Sequence, residues 1–221
     1  MSTSGALTPT SHAILGLLAI KPWTTYELAK QMDRTVNRFW PRARSKLYEE
    51  PKKLVVMGLA EATPGSTGRR PRTVYTITPA GREALAAWLS AESAEPVFES
   101  EHVLKVFYAQ NGSTDDVLAT LRQLREWVHE QTLHNIEVGA SYLEGDGPYP
   151  QRLPVLVLTS RFLDDQLEML DRWAGWASEV VETWPPEPVN AKPDLDGLAG
   201  TVEQATARAQ RWAAEHPTGS T

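Results

Sequence analysis

From Thr8 to Ile77 the apolar residues change spacing, from the three-and-four rhythm of helices to the alternation of strands. Thr8-Pro9 supplies an N-cap and a first-turn proline, and Ile14, Leu17 and Leu18 follow at helical spacing up to Lys21-Pro22. Thr24 or Thr25 caps a second short helix with Tyr26, Ala29 and Met32 on one face. A third begins near Pro41, carries Leu47, Leu54 and Met57 on one stripe, and stops at Gly58. Three short helices with tight connections predict a helix-turn-helix. The period then changes: Leu59 to Ala62 is short and apolar, TPGSTGRRP is rich in turn residues, and Arg72 to Ile77 alternates with β-branched and aromatic residues. A two-stranded hairpin with a long basic tip is expected, followed by a helix capped by Thr78-Pro79.

Beyond the acidic stretch AESAEPVFES the pattern is helical throughout. A short helix is expected over about 102–110, and a longer one from Thr114 carries Val117, Leu121, Leu124 and Val128. After the break GDGPYPQRLP, the residues Leu163, Leu167, Leu170, Ala174, Ala177, Val181 and Trp184 form a seam of alternating four- and three-residue steps. Such a seam suits helix-on-helix packing. A proline-rich connector precedes a last helix marked by Leu198, Val202, Ala205, Ala209 and Trp212. The fold expected is mainly α with a small β-hairpin wing: a winged helix-turn-helix over 1–91, a linker over 92–100, a helical dimerisation and effector domain over 101–184, and a connector with a C-terminal helix over 185–221.

Charge divides the chain in the same place. The 221 residues carry a net −6, but residues 1–90 hold 13 Lys+Arg against 6 Asp+Glu, and the rest hold 9 against 22. Basic surface in the first half suits a polyanion, because each neutralised phosphate releases condensed counterions. With no cysteine, no apolar run near the roughly 20 residues of a membrane span and no basic start before Ala13, a cytoplasmic protein without membrane association is expected.

No catalytic constellation can be assembled. His12, His102, His129, His134 and His216 are scattered, and His129 and His134, five apart, fall on different faces of a helix. Asp115-Asp116 sits at a helix start, where the helix dipole favours negative charge. The glycines of PGSTGRR lie between two strands, which fits neither a dinucleotide fingerprint nor a phosphate loop. No enzyme, metal or cofactor is expected.

Nucleic-acid binding accounts for more. The third helix carries Arg42, Arg44, Ser45, Lys46, Tyr48, Lys52 and Lys53 off its core stripe, and a helix of that kind fits the major groove. The hairpin tip gathers Arg69, Arg70 and Arg72 around Pro71, where a wing reaches phosphates or a minor groove. Double-stranded DNA is the expected partner.

These residues resemble the PadR-like transcriptional regulators from about Leu7 to Leu89. The third-helix pattern is similar at Leu47-Tyr48, Lys52-Lys53-Leu54 and Gly58-Leu59, and the wing at Gly68-Arg69-Arg70, Tyr75 to Thr78 and Gly81 followed by Leu85. The family usually has a proline directly after the tyrosine; here Glu49 stands there and the proline is Pro51, so a kink in the third helix is expected. The resemblance implies a repressor, dimeric through its C-terminal helices, that leaves an inverted-repeat operator when a small hydrophobic or aromatic effector binds. The seam from Leu163 to Trp184 is then the expected dimer interface. Met169, Trp173 and Trp176 flank it, either as packing or as an effector contact. The alternative is a helical protein–protein interaction adaptor built on a winged-helix scaffold.

Overall fold

The computed structural model describes residues 6–41, 44–67 and 70–216, without the side chains at 44–47, 66, 67, 70 and 71. The chain divides into two compact units, the first ending at Val97 and the second beginning at Phe98.

The first unit is built from α1 (Pro9–Ile20), β1 (Trp23–Thr24), α2 (Thr25–Arg34), α3 (Arg44–Val56), β2 (Ala60–Thr67), β3 (Arg70–Ile77) and α4 (Pro79–Ser90). Caps fix where the first two helices start. The Ser11 amide donates to Thr8 Oγ1 at 3.1 Å, and the Thr8 amide donates back to Ser11 Oγ at 3.0 Å. At α2 the Thr24 amide and hydroxyl both donate to the Glu27 carboxylate at 2.8 Å, holding it below the usual carboxylate range. Ile14, Leu15, Leu17 and Leu18 of α1 meet Leu28, Ala29 and Met32 of α2 and Leu54 of α3 in the core. Tyr26, expected on the buried face of α2, is instead 70 % exposed. Leu28 takes its place, because it lies four residues before Met32 and Tyr26 lies six before.

The hairpin is longer than its turn-rich sequence suggests. β2 and β3 stay paired from Ala60↔Ile77 out to Thr67↔Arg70, and β1 adds a third antiparallel strand on the far side of β3 through Trp23↔Tyr75. Pro64 is accommodated because β2 is an edge strand in the order β1-β3-β2. Pro71 is accommodated because β1 reaches only Val74 and Tyr75. The buried Trp23 indole donates to the Leu17 carbonyl at 2.7 Å, tying the sheet to α1.

Gly58 ends α3 with φ +72°, the left-handed conformation that glycine adopts without a Cβ penalty. Gly81, in the first turn of α4, is required for space: a Cβ there would lie 2.1 Å from the Leu59 carbonyl oxygen. Gly81→Ala is expected to destabilise the first unit by about 1–3 kcal/mol through forced backbone movement, read as a lowered first thermal transition.

His12 is buried, its ring stacked on Trp88 with centroids 4.8 Å apart and planes 6° apart. Burial pushes its pKa down, against the opposing pull of the Thr8 carbonyl 3.0 Å from Nδ1. A folded pKa below the unfolded value means that the stability His12 contributes is full above about pH 6.5 and is lost as the pH falls through that value. Urea unfolding at pH 7.5 and 5.5 is expected to show a loss at the lower pH that is smaller in His12→Phe, which keeps the ring and removes the titration.

The second unit contains α5 (Glu101–Phe107), α6 (Thr114–Leu143), α7 (Leu153–Val181) and α8 (Leu195–Glu215). Asp116 completes a capping box with Ser113 at the start of α6, the structural role expected of that acidic pair. The α7 helix starts ten residues before Leu163, because Pro154 occupies its first turn rather than ending it. Val117, Leu121, Leu124 and Val128 of α6 face Leu167, Leu170, Ala174, Ala177 and Val181 of α7, with Trp173 and Trp184 packed on the edge. This places the seam expected to join two copies inside one chain. Its small residues, Ala174 and Ala177, let α6 approach closely, and the apolar surface of the stripe is covered there. Among the described residues no helix is long and apolar enough to cross a membrane.

Candidate nucleic-acid interface

The third helix presents two different faces. Its inner face carries Glu50, Pro51 and Leu54: Pro51 and Leu54 are fully buried, and Glu50 accepts a 2.6 Å hydrogen bond from the Ser11 hydroxyl of α1. Its outer face carries Tyr48, Glu49, Lys52 and Val56, all exposed. The helix runs on through Pro51 to Val56, so the proline packs against the core instead of ending the element.

Arg44, Ser45 and Lys46 lie in the first turn of α3, and Arg42 lies outside the described residues. Tyr48, 45 % exposed, and Lys52 share the outer face, one turn apart. Lys53 does not belong with them. Its ammonium donates to the Ala6 carbonyl at 3.0 Å and stands 3.8 Å from Glu50, so it holds the chain before α1 against α3. Position 53 is three residues from Glu50, which turns it towards α1, whereas Lys52 points outward.

On the wing, Arg70 and Arg72 lie in β3 opposite Thr67 and Gly65, and Arg69 lies outside the described residues. Arg72 is exposed, and with Lys21 it adds to the positive field that helps to hold the Glu27 carboxylate ionised. The base of the wing therefore adjoins the start of α2. Sequence reasoning passed over the outer face of α2, where Tyr26, Lys30 and Arg34 recur at four-residue steps and are all exposed. That spacing, opposite Leu28, Ala29 and Met32, was the signal for it. In a helix-turn-helix the first helix crosses the phosphate backbone, so these residues extend the basic surface beside α3.

A helix with an exposed polar face, a preceding helix with outward cations and a paired basic hairpin make up a winged-helix unit. Residues 14–87 match the model of the transcriptional regulator PadR-like family. The N-terminal unit is PadR-like. Over 87 residues the chain is 33 % identical to a probable transcriptional regulator of Mycobacterium tuberculosis, covering 39 % of this chain and 44 % of that one. Over 99 residues it is 28 % identical to the negative transcriptional regulator PadR of Bacillus subtilis, covering 44 % of this chain and 54 % of that one. The chain thus spans about half the length of the curated relatives it matches.

The fold extends further than the sequence match. A Streptococcus mutans structure superposes with a TM-score of 0.67 at 20 % identity, over 77 % of this chain and 98 % of that one. Bacillus subtilis PadR in complex with operator DNA gives 0.63 at 19 % identity, over 79 % and 99 %. The same protein in complex with p-coumaric acid gives 0.57 at 19 % identity, over 78 % and 98 %. Both the PadR-like unit and helices of the second unit therefore belong to a shared architecture.

In the second unit, the residues flanking the seam separate. Trp173 packs on the α6–α7 core, whereas Phe162, Met169 and Trp176 recur at seven-residue steps along α7 and are 59, 40 and 52 % exposed. A groove of about 850 Å³ opens between α6 and α7. It is lined by Arg122, Arg125, His129, Asp164, Glu168 and Asp171 among others, with Arg125 Nε donating to Asp171 at 2.9 Å, and neither tryptophan borders it. Among the described residues no group of acidic and histidine side chains could hold a metal ion.

Proposed function

We propose that this chain is a DNA-binding transcriptional regulator of the PadR type, a repressor that works as a homodimer on an inverted-repeat operator. The observation that carries the proposal is the exposed basic face of α3 beside a paired basic wing, in a unit whose sequence matches that family. Base reading falls to Arg44, Lys46, Tyr48 and Lys52, with Arg42 beyond the described residues; Arg70, Arg72 and the outer face of α2 meet phosphates. The Bacillus subtilis relative solved with operator DNA supports this assignment of partner. A two-fold dimer places two α3 helices one DNA turn apart, so half-site centres about 10 bp apart, or a multiple, are expected.

An aromatic or hydrophobic effector acts on the second unit, a reading supported by the p-coumaric acid complex of the same relative. The exposed stripe of Phe162, Met169 and Trp176 is its contact, because Trp173 already packs on the core. A ligand that binds the non-binding arrangement more tightly releases DNA, and a coupling of about 1–3 kcal/mol is typical. Selection of genomic fragments by the purified chain, followed by salt titration, tests the function. A common inverted repeat and an affinity that falls steeply with salt are expected. No enriched fragment, together with capture of a protein partner that is insensitive to salt, would establish the adaptor alternative instead.

A further inference from the structure

The last helix carries an apolar stripe that its own chain leaves open. Leu195, Leu198, Val202, Ala205, Ala209 and Trp212 recur at alternating three- and four-residue steps along α8, a heptad seam three turns of the repeat long. No residue of α8 is buried, and Leu195, Leu198, Val202 and Trp212 are 67, 60, 56 and 61 % exposed. The partly covered positions of α8, Gly197, Gly200 and Ala207, lie off the seam. The stripe is therefore not turned towards the rest of the described chain.

Size and charge along the seam select its occupant. Large residues stand at the start, alanines in the second half, and the one indole at the end. Two parallel copies would set alanine against alanine and tryptophan against tryptophan, leaving gaps and a clash. Two antiparallel copies bring Leu198 against the partner subunit's Ala209, Val202 against the partner subunit's Ala205 and Leu195 against the partner subunit's Trp212. In that register every large residue meets a small one or closes an end. Asp194, Asp196 and Glu203 lie in or before the first half and Arg208 and Arg211 in the second, so opposed directions bring unlike charges together and oppose the helix dipoles favourably. The flanking positions Ala199, Thr206 and Ala213 are small enough for close approach.

We propose that α8 is a self-pairing element that packs antiparallel on α8 of a second copy. This rests on the homodimer proposed above but adds an interface outside the α6–α7 seam. Three heptads are marginal alone, and joining copies elsewhere raises their effective concentration.

The chain has no native cysteine, so introduced thiols are unambiguous. In the Leu198→Cys/Ala209→Cys variant the two thiols of one helix are about 16 Å apart along its axis, too far to join each other. Mild oxidation is expected to give a covalent dimer for this double variant and little for Leu198→Cys alone. Efficient cross-linking of the single variant indicates parallel pairing and overturns the proposal. No cross-link in the double variant, with both thiols freely labelled, overturns it as well. Sedimentation of the unmodified chain separates the two readings: a monomer removes the dimer itself, whereas a dimer whose double variant does not cross-link removes only the role of α8.

Discussion

Alanine at both Arg44 and Lys46 is expected to cost about 2–6 kcal/mol of operator affinity, at about 1–3 kcal/mol for each lost base contact, and to blur sequence preference. Both residues occupy the first turn of α3, ahead of the point where Glu50 and Pro51 commit the helix to the core. Alanine at Arg70 and Arg72 acts differently, weakening binding to all sequences and lowering the salt slope by about one per lost phosphate contact. Lys53→Ala is the internal control. Its ammonium is engaged by the Ala6 carbonyl and Glu50, so DNA affinity stays near that of the parent. Fluorescence anisotropy at several salt concentrations reads all three. Equal losses for Lys53→Ala and the Arg44/Lys46 pair would reverse the assignment of the two faces of α3.

Leu121→Ala is expected to destabilise the second unit by about 2–5 kcal/mol, the cost of emptying a fully buried leucine site. Leu121 is 0 % exposed between Leu167 and Ala174 in the α6–α7 core, which shares no residue with the core of the first unit. Thermal unfolding followed by tryptophan emission should therefore show one transition lowered and the other little changed. Trp176→Ala, at an exposed position, is expected within about 0.5 kcal/mol of the parent. A common shift of both transitions in Leu121→Ala would mean that the units unfold as one.

The helices were legible where caps and apolar period agreed. Thr8-Pro9, Thr24 and Ser113 start helices in the structure as their chemistry requires, and the stripes of α1, α6 and the second half of α7 are the buried ones. The wing was legible as a hairpin but not in length, because Pro64, Gly65 and Pro71 read as a loop; which edge of the sheet is free decides whether a proline is tolerated, and pairing order is not local information. The same limit applies to the seam of α7. Its residues were identified, yet whether α6 of the same chain or a second copy would cover it depended on the turn at Gly145 and Tyr149, which brings α6 back alongside α7. Lys53 shows the limit at a single residue: adjacent lysines at 52 and 53 are alike in sequence and lie on different faces of one helix.

The continuous pairing of β2 and β3 turns the wing into a ruler. Eight residues per strand at about 3.3 Å each make an arm of about 26 Å, longer than the roughly 17 Å of half a DNA turn. A flexible loop of the same composition would sample many distances from α3, and each phosphate contact would then require ordering at the moment of binding. The paired arm has already lost that freedom on folding. Its cations are held at a fixed separation from the recognition helix, so the spacing between major-groove and wing contacts is a length set by strand register, not by side-chain reach.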